Sequence, residues 1–125
     1  MSETRFTKDH EWVRLEADGT VTVGITDHAQ EALGDIVFVE LPEAGREVVE
    51  GESIAVVESV KAASDVYAPI AGRITEANEL VVDEPALVNR AAADEAWFFR
   101  MEPSDPDAFE GLMDESDYDA LLETL

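Results

Sequence analysis

A chain of 125 residues with a formal charge of −22, 30 acidic side chains against 8 basic ones and no cysteine is long enough for one hydrophobic core and too short for two. Such a charge repels nucleic acid and anionic membranes, since both depend on Lys and Arg to neutralise phosphate. The missing thiols exclude disulfides, Cys-ligated metals and thiolate catalysis, while a hydrophobic fraction of 46% predicts a folded chain.

In chain order, the start Met-Ser-Glu-Thr-Arg-Phe lacks a basic segment followed by an apolar one, and no run is long enough to span a bilayer. A soluble, cytoplasmic protein is expected. Trp12, Val13 and Leu15 lie in a β-prone run that ends at Asp18-Gly19. Val21, Val23 and Ile25 then alternate, so a hairpin is predicted there. Asp27 to Gly34 predicts a two-turn helix, with Asp27 as cap, Gln30 reciprocating and Gly34 as the left-handed stop. The run Ile36 to Leu41 is apolar enough to predict a strand buried on both faces, closed by Pro42.

After turns around Gly45 and Gly51 and a short apolar pair at Val48 and Val49, three strands are expected, over Ile54–Glu58, Asp65–Ala68 and Gly72–Ala77. Pro85 predicts a helical turn over Glu84–Asn89, and Ala96–Met101 a last strand. Ser104-Asp105-Pro106 opens a helical tail from about residue 104, in which Tyr118, Leu121, Leu122 and Leu125 repeat at helical spacing. Gly34-Asp35-Ile36-Val37 faintly echoes Gly72-Arg73-Ile74-Thr75. The pattern predicts one mainly β domain over residues 1–125, a sandwich or barrel-like array of short antiparallel strands with one internal helix and C-terminal helices.

Signals for enzymatic chemistry are sparse. His10 and His28, the two histidines, have no spacing that places both imidazoles on one face, so no metal site is expected. No nucleophile elbow, P-loop or dinucleotide fingerprint occurs. Carboxylate pairs are expected by chance in so acidic a chain, and 114–119 lacks the glycine and final glutamate of a calcium loop. The acids are spread along the chain, which reads as the surface of a halophile's protein, because molar salt cuts the screening length to roughly 3 Å.

Lys61 is one of two lysines, with Lys8, and lies between two predicted strands among Val60, Ala62, Ala63 and Ser64. Its ammonium should project from a hairpin tip with clearance for a partner to close over it. The turn has no Gly or Asn, which favours a type I turn or a longer loop over a primed turn. A lone surface charge is the plain alternative. Its rarity in this composition sets Lys61 apart.

The segment Glu58-Ser59-Val60-Lys61-Ala62-Ala63-Ser64-Asp65-Val66-Tyr67 closely resembles the lipoyl-lysine segment of the glycine cleavage system H-protein family. The resemblance extends through 10–13, 23–30, 33–42 and 87–89 and fits the tail. It implies a lipoyl-domain-like barrel-sandwich hybrid, a non-catalytic carrier, and lipoic acid in amide linkage on Lys61. The arm, roughly 14 Å from backbone to ring by summed bond lengths, would swing between sites and bring the sulfurs the chain lacks. The implied partners are a pyridoxal-phosphate glycine decarboxylase, a tetrahydrofolate-dependent aminomethyltransferase, the FAD enzyme dihydrolipoamide dehydrogenase and a lipoyl-attaching enzyme, all serving a monomer. In the family the oxidised arm takes an aminomethyl group from the first, presents it to the second and is reoxidised by the third. By the same resemblance Glu11 and Asp65 face the aminomethyl cation, and Glu58 and Gly72 are read by the lipoyl-attaching enzyme. Asp9 stands where the family favours a small hydroxyl residue, and 90–96 departs from the family's Pro-Tyr-Gly-type segment. A biotin carrier, which prefers methionines beside its lysine, a Schiff-base enzyme using Lys61, and an unmodified acidic module or a relay of lipoyl groups to other complexes are the competing readings.

Overall fold

The computed structural model describes residues 3–124. The strands are β1 (Glu3–Phe6), β2 (Glu11–Leu15), β3 (Val21–Ile25), β4 (Ile36–Glu40), β5 (Glu47–Val48), β6 (Ser53–Ser59), β7 (Ala63–Tyr67), β8 (Gly72–Ala77) and β9 (Phe99–Pro103). The helices are α1 (Asp27–Leu33), α2 (Glu79–Asp83), α3 (Leu87–Ala91) and α4 (Glu115–Glu123), with a 3-10 turn over Pro106–Gly111. A six-stranded sheet in the order β1-β2-β3-β9-β8-β5 faces a three-stranded sheet β4-β6-β7, and every pairing is antiparallel. The mainly β architecture read from the sequence is the one observed.

All five residues of β3 are buried, because the strand is central in its sheet and covered on both faces. Val21 and Val23 lie opposite Met101 and Phe99, and these meet Val39, Val57, Val66 and Ile74 from the facing strands in one apolar cluster. Two glycines are set by close approach. Trp12 lies directly across from Gly24, where a Cβ would stand 2.7 Å from the indole, and the indole Nε1 donates to the Ala92 carbonyl at 2.8 Å. Gly72 is flanked by Val48 and Pro103, and a Cβ there would collide with the Glu102 carbonyl oxygen.

The Asp18-Gly19 hairpin forms, and Gly34 stops α1 at φ 87°. Other expectations shift. The cap of α1 is Thr26, whose hydroxyl accepts from the Ala29 amide, and Asp27 is the first helical residue. Gln30 does not return to the cap; its Oε1 accepts from Asn89. β4 is not buried on both faces. Ile36 and Val39 point inward, while Val37 and Phe38 are exposed around a register shift against β6.

The predicted turn over Glu84–Asn89 forms three residues later as α3, because Asn78 caps the unexpected α2 and Pro85 separates the two helices. The last strand also begins late. The Asn78 side chain donates to the Glu95 and Trp97 carbonyls at 2.9 and 2.8 Å and draws that segment away from sheet pairing, although Ala96 and Phe98 remain buried. β1 was not expected, and it pairs with β2 and bridges to Met113. Asp105 caps the tail as its sequence suggests, but the turn is 3-10; Asp114 then caps α4, and Leu125 lies outside the described residues.

Gly72→Ala should cost about 2–3 kcal/mol, because backbone cannot retreat from the new methyl as a side chain can. Urea unfolding of the two proteins measures it, and an unchanged midpoint would show that the strands can part at no cost.

Candidate functional site

The turn between β6 and β7 is built by one serine. The Ser59 amide donates to the Ala62 carbonyl at 2.7 Å, and the Ser59 hydroxyl accepts from the Lys61 and Ala62 amides at 3.2 and 3.1 Å. None of residues 60–62 has positive φ, so the hydroxyl does the closing that Gly or Asn does in a primed turn. Sequence reasoning passed over Ser59. A serine ending a β-run two residues before a lone lysine was the available signal.

Behind the tip, the Val60 amide donates to the Asp35 carbonyl at 3.1 Å, which ties the turn to the loop joining α1 and β4. That loop is itself fixed. Asn89 donates to Gln30 Oε1 and to the Gly34 carbonyl, each at 2.9 Å, and its own Oδ1 accepts from the Ile36 amide at 2.9 Å. The Lys61 stem passes over Gly34, with Cε 3.7 Å from where a Cβ would sit. Lys61 is exposed, as are Val60, Ala62 and Ala63, and among the described residues the five ion pairs all use arginine. Its amine is therefore open to a visiting protein. Among the described residues no group of three or more His, Cys, Asp or Glu is placed to hold a metal ion.

Glu58, half-buried on β6, pairs across with Ala63, and exposed Asp65 pairs with Val56, so both carboxylates flank the tip on the outward face of the small sheet. Gly72 is buried within the other sheet. Its observed neighbours give it a packing role.

Glu11, at the start of β2, is 2% exposed. Its carboxylate accepts from the Tyr67 amide at 2.7 Å and from the Thr7 hydroxyl at 3.0 Å, which joins the larger sheet to the end of β7. Burial pushes its pKa up to about 7, against the pull of those two donors and with a smaller push from Asp9. It lines a cleft of about 350 Å³ with Lys8, Asp9, Glu50 and Tyr67. Asp65 does not line that cleft. It lies two residues before Tyr67, on the same face of β7 and about 7 Å along the strand.

His10 is positioned by the same segment. It has φ 65°, its carbonyl accepts from the Thr26 amide, and its Nδ1 lies 2.8 Å from the Tyr118 hydroxyl, which also meets Thr26 Oγ1 at 2.8 Å. Tyr118 stacks on Phe6 with ring centroids 4.7 Å apart. α4 is thereby held against the strand that carries Glu11. Although no sequence spacing suggested it, the fold brings the His10 and His28 rings to 4.5 Å between centroids, and burial, then His28, hold the His10 pKa below its usual value.

A family model described as "Glycine cleavage H-protein" matches residues 4–125. The chain is 65% identical over 125 residues to the glycine cleavage system H protein of Acidiphilium cryptum (strain JF-5), covering 100% of both. It is 59% identical over 126 residues to that of Paramagnetospirillum magneticum (strain ATCC 700264 / AMB-1), covering 100% of this chain and 99% of the relative. Against that of Halorhodospira halophila (strain DSM 244 / SL1) the identity is 55% over 120 residues, or 96% of this chain and 92% of the relative. The crystal structure of a glycine cleavage system H protein from Mycobacterium marinum superposes with a TM-score of 0.86 at 39% identity, covering 98% of each chain.

Because the folded protein keeps Glu11 protonated up to about pH 7, against an ordinary value of 4.5, folding takes up a proton between those values. This contribution to stability is fully present below about pH 4.5 and is lost as pH rises through 7. Glu11→Gln has no such titration, so its stability relative to the parent should rise by about 2–3 kcal/mol between pH 4 and pH 8. Urea unfolding at the two pH values reads this directly. A difference independent of pH would mean that Glu11 titrates normally.

Proposed function

The chain belongs to the glycine cleavage H-protein family and serves the glycine cleavage system as its carrier, and from that premise we propose that Lys61 is the residue that carries lipoic acid. The observation that carries this reading is the exposed Lys61 amine on a tip closed by Ser59 and braced from behind by Asp35. The residues fit the group. An amide-linked arm needs an unpaired amine with room around it, and here Val60, Ala62 and Ala63 supply no competing charge. When bound, the group supplies a disulfide that can accept a one-carbon unit and electrons.

In this reading the chain's own residues position and do not catalyse. Ser59 and Asp35 fix the turn, Glu58 and Asp65 present carboxylates beside it, and Glu11 offers a buried carboxylate in the cleft next to β7 toward a cationic aminomethyl group. Glu58 and Gly72 serve the lipoyl-attaching enzyme, Glu58 from the surface and Gly72 through the strand packing it permits. The other partners are the glycine decarboxylase, the aminomethyltransferase and dihydrolipoamide dehydrogenase. The protein works as one carrier unit over 1–125, as a monomer in the cytoplasm; among the described residues no helix is long and apolar enough to cross a membrane.

We also infer that the acid-rich surface suits high salt. The relatives come from varied bacteria and add no weight to this, so it stands on the charge of −22 alone.

Peptide-mapped intact mass of the protein from its native cell should show one lipoyl increment, on the peptide containing Lys61, and Lys61→Arg should abolish reconstituted glycine cleavage. A biotin increment, no increment, or undiminished activity of the variant would sink the carrier-lysine reading. The melting temperature should rise as KCl is raised from millimolar to molar. A fall would remove the high-salt inference.

A further inference from the structure

Both lysines of the chain, Lys8 and Lys61, stand in turns closed by a hydroxyl, and the two hydroxyls grip them differently. Ser59 to Ala62 form the turn at the β6–β7 tip. In an ordinary four-residue turn the first carbonyl accepts from the fourth amide. Here the Ser59 hydroxyl takes that amide, from Ala62 at 3.1 Å, and the Lys61 amide as well at 3.2 Å, while its own proton points to the Ala62 carbonyl at 3.2 Å. The backbone nitrogen of Lys61 is thus held by the side chain two residues before it.

At the turn between β1 and β2 the Thr7 hydroxyl accepts from the Asp9 and Glu11 amides, at 3.3 and 3.2 Å. Its grip falls on residues that follow Lys8. Lys8 also shares its cleft with Asp9, Glu11 and Glu50, whereas Val60, Ala62 and Ala63 bring no charge to Lys61.

Ser59 is 9% exposed, while residues 60–63 are all exposed. Water can replace the hydroxyl on amides so placed, so its bonds add little to global stability. What they fix is direction. A lysine stem runs roughly 6 Å from Cα to Nζ, so turning its root by about 20° moves the amine by roughly 2 Å. Group transfer is more exacting, since a misplacement on the order of 1 Å costs about a hundredfold in rate. The stem is seated too, with Cε 3.7 Å from where a Gly34 Cβ would sit and the Val60 amide on the Asp35 carbonyl at 3.1 Å.

We propose that the Ser59 hydroxyl is a positioning and specificity-determining group for lipoylation, holding the root of Lys61 so that the lipoyl-attaching enzyme acylates Lys61 and passes over Lys8. This rests on the reading of Lys61 as the attachment point. In the step concerned, neutral Nζ attacks the carbonyl carbon of an activated lipoyl donor, a mixed anhydride with phosphate. The C–N bond forms, the C–O bond to phosphate breaks and its electron pair leaves on the phosphate, and the nitrogen releases one proton; nothing is oxidised or reduced. Ser59 touches none of these atoms and acts through the Lys61 and Ala62 amides.

The test uses the full-length chain without its lipoyl group, the lipoyl-attaching enzyme of the same cell and lipoyl adenylate as donor, with peptide mapping to separate Lys61 from Lys8. Ser59→Ala should lower kcat/KM at Lys61 at least tenfold, with most of the loss in kcat. Ser59→Thr or Ser59→Asn keeps an oxygen able to accept both amides, and at least one of them should return the rate to within about threefold of the parent. The melting temperature of Ser59→Ala should move by no more than about 5 °C; a larger fall would make Ser59 a stability residue and overturn the proposal. Acetylation by N-hydroxysuccinimidyl acetate, a small reagent that reaches an amine from any side, should leave the Lys61-to-Lys8 ratio of Ser59→Ala within twofold of the parent's. An equal loss at Lys61 with this reagent, or no recovery in either the Thr or the Asn variant, also overturns the proposal. A parent left unmodified at Lys61 sinks the reading of Lys61 and this proposal together, whereas a modified parent and an equally modified Ser59→Ala sink this proposal alone.

Discussion

One asparagine side chain holds the lysine-bearing end of the molecule in place. Asn89 uses both amide hydrogens and its oxygen, on Gln30, Gly34 and the Ile36 amide, and so binds α3, α1 and the first residue of β4 to one another. Asp35, in the loop thus fixed, receives the Val60 amide. The route from the larger sheet runs through Trp12 to Ala92 at the end of α3, then through Asn89 to the loop, then to the turn. Apolar packing alone is tolerant of small slides. Hydrogen bonds with fixed directions are not, and here they run from the core to the edge where the exposed lysine stands.

Glu11 performs the second coupling, and its chemistry differs. It crosses from β2 to the end of β7 through the Tyr67 amide, with burial working against its charge. A neutral residue could make the same bridge without that penalty. The carboxylate lines a cleft beside the strand that descends from Lys61. Its neighbours His10 and Tyr118 lock the backbone that carries it, so the tail helix contributes to the site without touching it.

What could be read from the sequence was local. Asp18-Gly19, the glycine ending α1 and the Asp105-Pro106 start each encode their geometry within a few residues, and each is found. β1 has no such signal. Glu3-Thr4-Arg5-Phe6 is polar, and only pairing with β2 and Met113 makes it a strand. α2 was not expected either: its five residues Glu79–Asp83 are too short for a helical repeat to show, and the Asn78 cap decides for helix. The outward turn of Phe38 depends on a bulge that leaves no mark in composition. Likewise Lys61 stood out from its surroundings, but the raised pKa of Glu11 comes from burial that only the assembled sheets create, against the pull of the Tyr67 amide 56 positions away.

The closure of the tip by Ser59, with no glycine at 60–62, leaves the backbone there without a joint. All the freedom of anything attached to Lys61 must then come from bonds beyond Cα, so the attachment explores a sphere about a stationary centre. A tether of that kind confines its end to a local concentration on the order of millimolar or higher, whatever the concentration of the protein. A stiff scaffold would thus set a dose, and any partner that met a group carried on Lys61 would sample a small volume already filled.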